Sequence, residues 1–251
     1  MDILGVRIDN FSKPEVLNKI SSFFSDGQQH KIFTPNPEML VDAQKDEYFK
    51  QVLNSGDLNV CDGFGISLVS GAKRYPGTDL MQDICQLAAE QGRSVYLLGS
   101  GSDEVVKKTA EVLKNRYSGL KIVGFDKGPI IEIRDKRYEI RDINENDEIL
   151  HDTIMKAPDI LFVAFGHNKQ EKWIQENLKQ LPSVKIAMGV GGAFDYLSGK
   201  TQRAPLFLRQ IGLEWLYRLV REPSRLKRIL KATVYFLYLY GKNKIRPLTH
   251  R

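Results

Sequence analysis

Cysteine, histidine and long apolar runs are all scarce in this chain, and each shortage excludes a class of function. Only two cysteines occur among 251 residues. Cys61 and Cys85 lie too far apart for a CxxC metal or redox motif, and one pair is too few for a disulfide scaffold, so a reducing, cytoplasmic setting is expected. The four histidines are scattered without metal-ligand spacing, and HExxH is absent. No Asp-x-Asp closes any predicted strand, where a nucleotide-bound cation would need it, so the expected chemistry uses no metal and no other cofactor. The longest apolar run of the C-terminal region, 232–240, falls far short of the ~20 residues that cross a bilayer. The opening Met1-Asp2-Ile3-Leu4-Gly5 has neither the basic flank nor the apolar stretch of a signal peptide.

Acidic residues are missing in one place. Between 201 and 251 only Glu214 and Glu222 oppose twelve Lys and Arg, so this region carries about +10, and the remainder about −4 of the overall +6. Such a segment suits nucleic acid, an anionic membrane surface or a phosphorylated substrate, and charge alone does not choose among them. No recognised nucleic-acid motif accompanies it.

What is present is an ordinary globular composition, 42% hydrophobic and 27% charged, enough for one full core plus an appendage. Apolar runs at 2–8, 30–34, 57–61, 94–98, 120–125, 159–165 and 184–190 read as strands. Apolar residues at helical spacing fill 13–25, 37–53, 78–91, 102–117, 144–156 and 168–180. Strands as uniformly apolar as 159–165 need cover on both faces, which predicts a Rossmann-like α/β fold: a mostly parallel sheet with helices on both sides, over 1–200. Residues 127–141 break the rhythm and alternate like a small hairpin or inserted loop.

After Gly199 the strands stop. Helical patterns at 204–222 and 224–240, separated by Pro223, form a basic, amphipathic C-terminal appendage over 201–251. Its last helix sets Leu226, Ile229, Leu230, Val234 and Leu237 beside Lys227, Arg228 and Lys231, with Tyr235, Tyr238 and Tyr240 toward its end. That pattern fits a helix lying in a membrane interface; it also fits one packed on the domain or on a second copy of the chain.

Ligands of open α/β sheets bind beyond the carboxyl ends of the strands. Five predicted strand ends carry polar or glycine residues: Thr34 to Glu38, Asp62 to Gly65, Gly99-Ser100-Gly101, Gly166 to Glu171, and Gly189 to Asp195. Glycines such as Gly99, Gly166 and Gly191 let backbone approach a nucleotide diphosphate, although the full GxGxxG and P-loop patterns are absent. Asp62 is placed to take a proton from an acceptor hydroxyl, or else to cap the following helix. Arg74 suits a phosphate or a solvated surface. His167, with no identified partner, stays outside the expected mechanism.

Taken together, three segments resemble the WecG/TagA/CpsF glycosyltransferase family over about residues 1–240. They are Thr34-Pro35-Asn36-Pro37-Glu38 with Asp62-Gly63-Phe64-Gly65; Asn168-Lys169-Gln170-Glu171-Lys172-Trp173; and Gly191-Gly192-Ala193-Phe194-Asp195 running on through Arg203-Ala204-Pro205, Gly212 to Leu219 and Glu222 to Arg228. The resemblance implies inverting transfer of a sugar from a UDP-linked donor to a polyprenyl-diphosphate-linked amino sugar, at the inner face of the cell membrane. N-acetylmannosamine or its uronate is the leading donor, and N-acetylglucosamine on the lipid the acceptor, in teichoic acid or other surface polysaccharide synthesis. UDP-glucose or UDP-glucuronate use within the same family is the alternative, and a nucleotide- or nucleic-acid-binding regulator is the rival of another class. Self-association is a further expectation.

By that resemblance Asp62 falls on the general base and Thr34, Asn36, Arg74 and Gln170 on pocket positions. Asp195 falls at the nucleotide end, and Arg218, Arg225 and Arg228 where the appendage closes over the diphosphate. The chemistry is coherent: the leaving diphosphate gains negative charge, and without a metal, guanidinium groups and helix-end amides must neutralise it. Three departures stand out: Asn168 where many members have proline, a longer 127–141 stretch, and a shorter span from Asp62 to Arg74.

Overall fold

The computed structural model describes residues 1–134 and 137–245. The end of the predicted appendage, 246–251, and residues 135–136 of the irregular stretch lie outside the described residues.

The chain opens with β1 (Asp2–Ile3) and β2 (Val6–Arg7), then α1 (Lys13–Phe23), β3 (His30–Phe33), α2 (Pro37–Ala43), α3 (Glu47–Asn54) and β4 (Leu58–Asn59). Next come α4 (Phe64–Ser70), α5 (Gly77–Glu90), β5 (Ser94–Gly99), α6 (Asp103–Arg116) and β6 (Lys121–Asp126). β7 (Ile131–Arg134) and β8 (Arg137–Ile140) precede α7 (Ile143–Lys156), β9 (Ile160–Ala164), α8 (Lys169–Asn177), β10 (Ile186–Gly189) and α9 (Ala193–Leu197).

The main sheet has six strands in the order β4-β3-β10-β9-β5-β6, and every pairing in it is parallel. Period-two alternation divides its side chains between two cores. Leu161 and Val163 join Met39, Leu40, Phe49 and Trp173 from α2, α3 and α8. Ile160 and Phe162 join Val16, Ile20, Ile84, Val106 and Phe194 from α1, α5, α6 and α9. The Rossmann-like expectation of a helix-covered parallel sheet is met.

Several local expectations are corrected. Residues 2–8 do not form a sheet strand. Leu4 and Gly5 take φ +55° and +78°, the Gly5 amide donates to Asp2 Oδ1, and the result is the small antiparallel β1–β2 pair. The helical stretch 37–53 is two helices, because Asp46 turns to β geometry and accepts the Phe49 amide at 2.9 Å to cap α3. The glycine segments hold two short helices, α4 and α9, of which only the one after Asp62 is expected from the sequence. Residues 127–141 hold the antiparallel β7–β8 hairpin, separate from the main sheet and closed at its base by the Arg141 amide on Ile130 O at 2.9 Å.

The pattern at 204–222 resolves into α10 (Leu206–Gln210) and α11 (Glu214–Arg221), broken at Gly212. There φ is +77°, and a Cβ would overlap the ring of Phe64. Beyond Pro223, α12 (Leu226–Leu230), a π-helical turn over Lys231–Tyr235 and α13 (Phe236–Ile245) run on as one helical segment. It lies against α2 and α4: Phe236 is fully buried, and the Tyr240 hydroxyl donates to Val69 O at 3.0 Å. No helix among the described residues is long and apolar enough to cross a membrane.

Candidate active site

A cavity of about 680 Å³ lies beyond the carboxyl ends of the main-sheet strands. Each strand end supplies a part: Thr34 and Asn36 after β3, Asp62 after β4, Ser100 and Gly101 after β5, Lys127 to Pro129 after β6, Phe165 to His167 after β9, and Gly191, Gly192, Asp195 and Tyr196 after β10. Gly77 and Thr78 close the Asp62 end, and Pro129, Ile130 and Ile131 wall the β6 end. Arg218, Arg225 and Arg228 line the cavity from the C-terminal segment.

Asp62 does not cap the helix that follows it, since Gly63 is the N-cap of α4; its carboxylate instead accepts the Gly77 amide at the start of α5. Burial pushes the Asp62 carboxyl up to about 6, with Arg74 opposing the rise and Glu214 adding to it. A carboxylate so placed is still ionised at pH 7 yet binds a proton far better than a solvated one, which is what a general base needs.

Thr34 is buried at the floor, and Gly77 is required beside it because a Cβ would fall 2.9 Å from Thr34 Oγ1. Asn36 caps α2, its Oδ1 accepting the Met39 amide at 3.1 Å. Gln170 accepts the Gly191 amide at 2.9 Å and donates to Glu171 at 2.8 Å, fixing the glycine turn after β10. A Cβ on Gly189 would fall 2.6 Å from Gln170 Nε2, so that strand residue must lack a side chain. Glu171 takes the Asn168 amide at 2.7 Å as part of a capping box, and burial raises its carboxyl. Lys172 is fully buried and paired with Asp46 at 2.7 Å, so this motif residue ties α8 to the start of α3.

Arg74 and Gly99 stand apart from the other expected site residues, because neither lines the cavity. Arg74 donates to Asp62 O at 2.9 Å and to Arg209 O at 2.8 Å, and lies 3.8 Å from Glu214; it joins the loop after β4 to the C-terminal segment. Gly99, at φ +120°, permits backbone contact with Ala164 that any Cβ would block, leaving Ser100 and Gly101 to face the cavity.

Sequence reasoning missed three contributors. His167 lines the cavity with a partner found only in the fold, Asp42, at 2.9 Å. Tyr196 contributes a ring that lies 5.2 Å from the Arg218 guanidinium. The hairpin wall is the third. Glu38, Asp42 and His167 lie close enough together to hold a cation, but Arg228 and Lys231 already pair with both carboxylates. Both carboxylates are thus balanced by side-chain cations in this structure.

The profile of the family described as "Glycosyl transferase WecG/TagA/CpsF family" matches residues 1–250. Two curated relatives, from Staphylococcus aureus strain MW2 and strain NCTC 8325 / PS 47, are each 30% identical over 252 residues, covering 97% of this chain and 93% of their own length. Both are named N-acetylglucosaminyldiphosphoundecaprenol N-acetyl-beta-D-mannosaminyltransferase. A whole-length profile match, on a sheet whose strand ends gather the quoted motifs around one cavity, means that this chain belongs to the WecG/TagA/CpsF family of glycosyltransferases.

Proposed function

We propose that this glycosyltransferase moves N-acetylmannosamine, or its uronate, from a UDP donor to N-acetylglucosamine carried on a polyprenyl diphosphate, with inversion and without a metal. The observation that carries the reading is the pairing of a partly buried, poorly solvated carboxylate, Asp62, with three arginines on one cavity. The acceptor hydroxyl oxygen attacks the anomeric carbon from the face opposite the leaving group, and its proton passes to Asp62. The bond from that carbon to the diphosphate breaks, and the nucleoside diphosphate leaves with the electron pair. Arg218, Arg225 and Arg228 neutralise the charge it gains. The glycine turns at Gly166 and Gly191, with Asp195, receive the nucleotide end.

The relatives' shared name supports the acceptor. The basic segment favours this reading over nucleic-acid binding, because much of its charge is turned inward: Arg203 pairs with Asp79 and Glu214, Arg228 with Glu38, and Lys231 with Asp42. The same segment exposes Leu206, Phe207, Ile211, Val220, Val234 and Tyr238. With its basic residues they make a surface for peripheral attachment to the inner face of an anionic membrane.

The test is transfer by the purified full chain in EDTA, with detergent-solubilised polyprenyl-diphosphate N-acetylglucosamine and a panel of UDP-sugars that includes glucose and glucuronate. Lipid-linked product from the N-acetylmannosamine donor is expected. Activity silenced by EDTA and restored by magnesium would overturn the metal-free mechanism, and product from UDP-glucose alone would move the enzyme to another donor.

A further inference from the structure

The C-terminal segment meets the core through opposite charges, and the meeting place is also a wall of the cavity. Glu38 and Asp42 on α2 are four residues apart, so both carboxylates project from one helix face. Arg228 grips Glu38 as a fork, Nε to Oε1 at 3.0 Å and Nη2 to Oε2 at 2.9 Å. Lys231 Nζ donates to Asp42 Oδ2 at 2.6 Å and lies 3.8 Å from Glu38. Asp42 also bonds to His167 Nε2 on the loop after β9. Burial raises the Asp42 carboxyl, but the hydrogen bonds from His167 and Lys231 outweigh it and hold the group below the usual range. The fork to Glu38 likewise strengthens the hold of Arg228 on its proton. Arg228 lines the cavity whereas Lys231 does not, so the two pairs do different work: one orients a cavity arginine, and the other fastens the helix that carries it.

We propose that Glu38 and Asp42 are positioning residues that, with Lys231, clamp the C-terminal segment onto α2 and hold Arg218, Arg225 and Arg228 over the cavity before any substrate arrives. Two carboxylates balance two cations at a half-covered junction, so the segment docks without stranding charge. Arginines held in place need little ordering when the leaving group develops its charge, which is the advantage of a preorganised site. The assignment of those arginines to a diphosphate rests on the function proposed above; the clamp itself rests on the contacts.

The experiment follows hydrogen exchange of the amides of 226–240 in the full chain, as wild type, Asp42→Lys, Lys231→Asp and the double variant, with sugar transfer measured in parallel. Each single change sets like charges against each other. Exchange in the segment is expected to quicken roughly tenfold, while β3, β9 and β10 stay protected. The double variant restores the pair in the opposite sense and should return protection to within roughly threefold of wild type, with transfer recovering alongside it. Unchanged exchange in the single variants would overturn the clamp, as would a double variant that exchanges as fast as they do. If the wild type transfers no sugar at all, the proposed reaction falls while the exchange result still decides the clamp.

Discussion

Asp62 is poorly solvated, so its contribution to stability and its proposed role as a base respond to pH in opposite directions. As a base it must be ionised, so the rate should fall about tenfold for each pH unit below its value of about 6. For folding, a carboxyl raised above its unfolded value binds its proton more tightly in the native state. Its contribution to stability is lost as pH rises from the ordinary range through about 6. Asp62→Asn should thus lower kcat by roughly 10²–10⁴-fold while leaving the Tm at pH 7 equal to or above wild type. A pH–rate profile beside thermal melts of the two proteins checks both halves, and a variant that melts well below wild type would assign Asp62 a structural role instead. Its place at the cavity is legible in sequence because it follows directly on the apolar run 57–61, of which Leu58–Asn59 forms β4, and that position is set locally. Arg74 was not: its partners, Arg209 O and Glu214, come from the other end of the chain, and only tertiary packing turned it away from the cavity. His167 was passed over for the same reason, since Asp42 is distant in sequence.

At the scale of elements, the strands of the main sheet and their covering helices follow from periodicity, because β9 and β10 are buried on both faces and tolerate nothing but apolar residues or glycine. Where expectation failed, a single side chain or dihedral decided the outcome. The Asp46 cap split one helix into two, and Leu4-Gly5 folded a strand back on itself. Asn168, at φ +70°, marks a turn that proline, locked near −65°, cannot make. Gly212 offers the clearest test. Gly212→Val would combine a disfavoured positive φ with overlap on Phe64 and should destabilise the packing of α10 and α11 by about 2 kcal/mol or more, read as a lower Tm. A Tm within a degree of wild type would show that the turn adjusts freely.

One C-terminal segment carries many of the molecule's exposed apolar side chains together with its cavity arginines. Leu206 and Phe207 are 59% and 61% exposed, within reach of the basic residues that would meet anionic headgroups. Wild type should sediment with vesicles containing anionic lipid and be released as salt rises. The pair Leu206→Glu with Phe207→Glu should lower vesicle binding roughly tenfold or more without reducing transfer to a detergent-solubilised acceptor. Equal binding of the double variant would place the membrane contact elsewhere.

The β7–β8 hairpin touches the future of this enzyme more than its present. It leaves the sheet and returns to nearly the same point, its base closed by a single backbone hydrogen bond between Arg141 and Ile130, and yet Ile130 and Ile131 border the cavity. None of its strand pairings belongs to the main sheet, although Ile131 is buried in the core and Tyr138 and Ile140 pack against it. Evolution and the protein engineer therefore share an exchangeable panel: the cavity wall can be rewritten there by insertion or recombination that keeps those three apolar anchors, while Asp62 and the main sheet stay where they are.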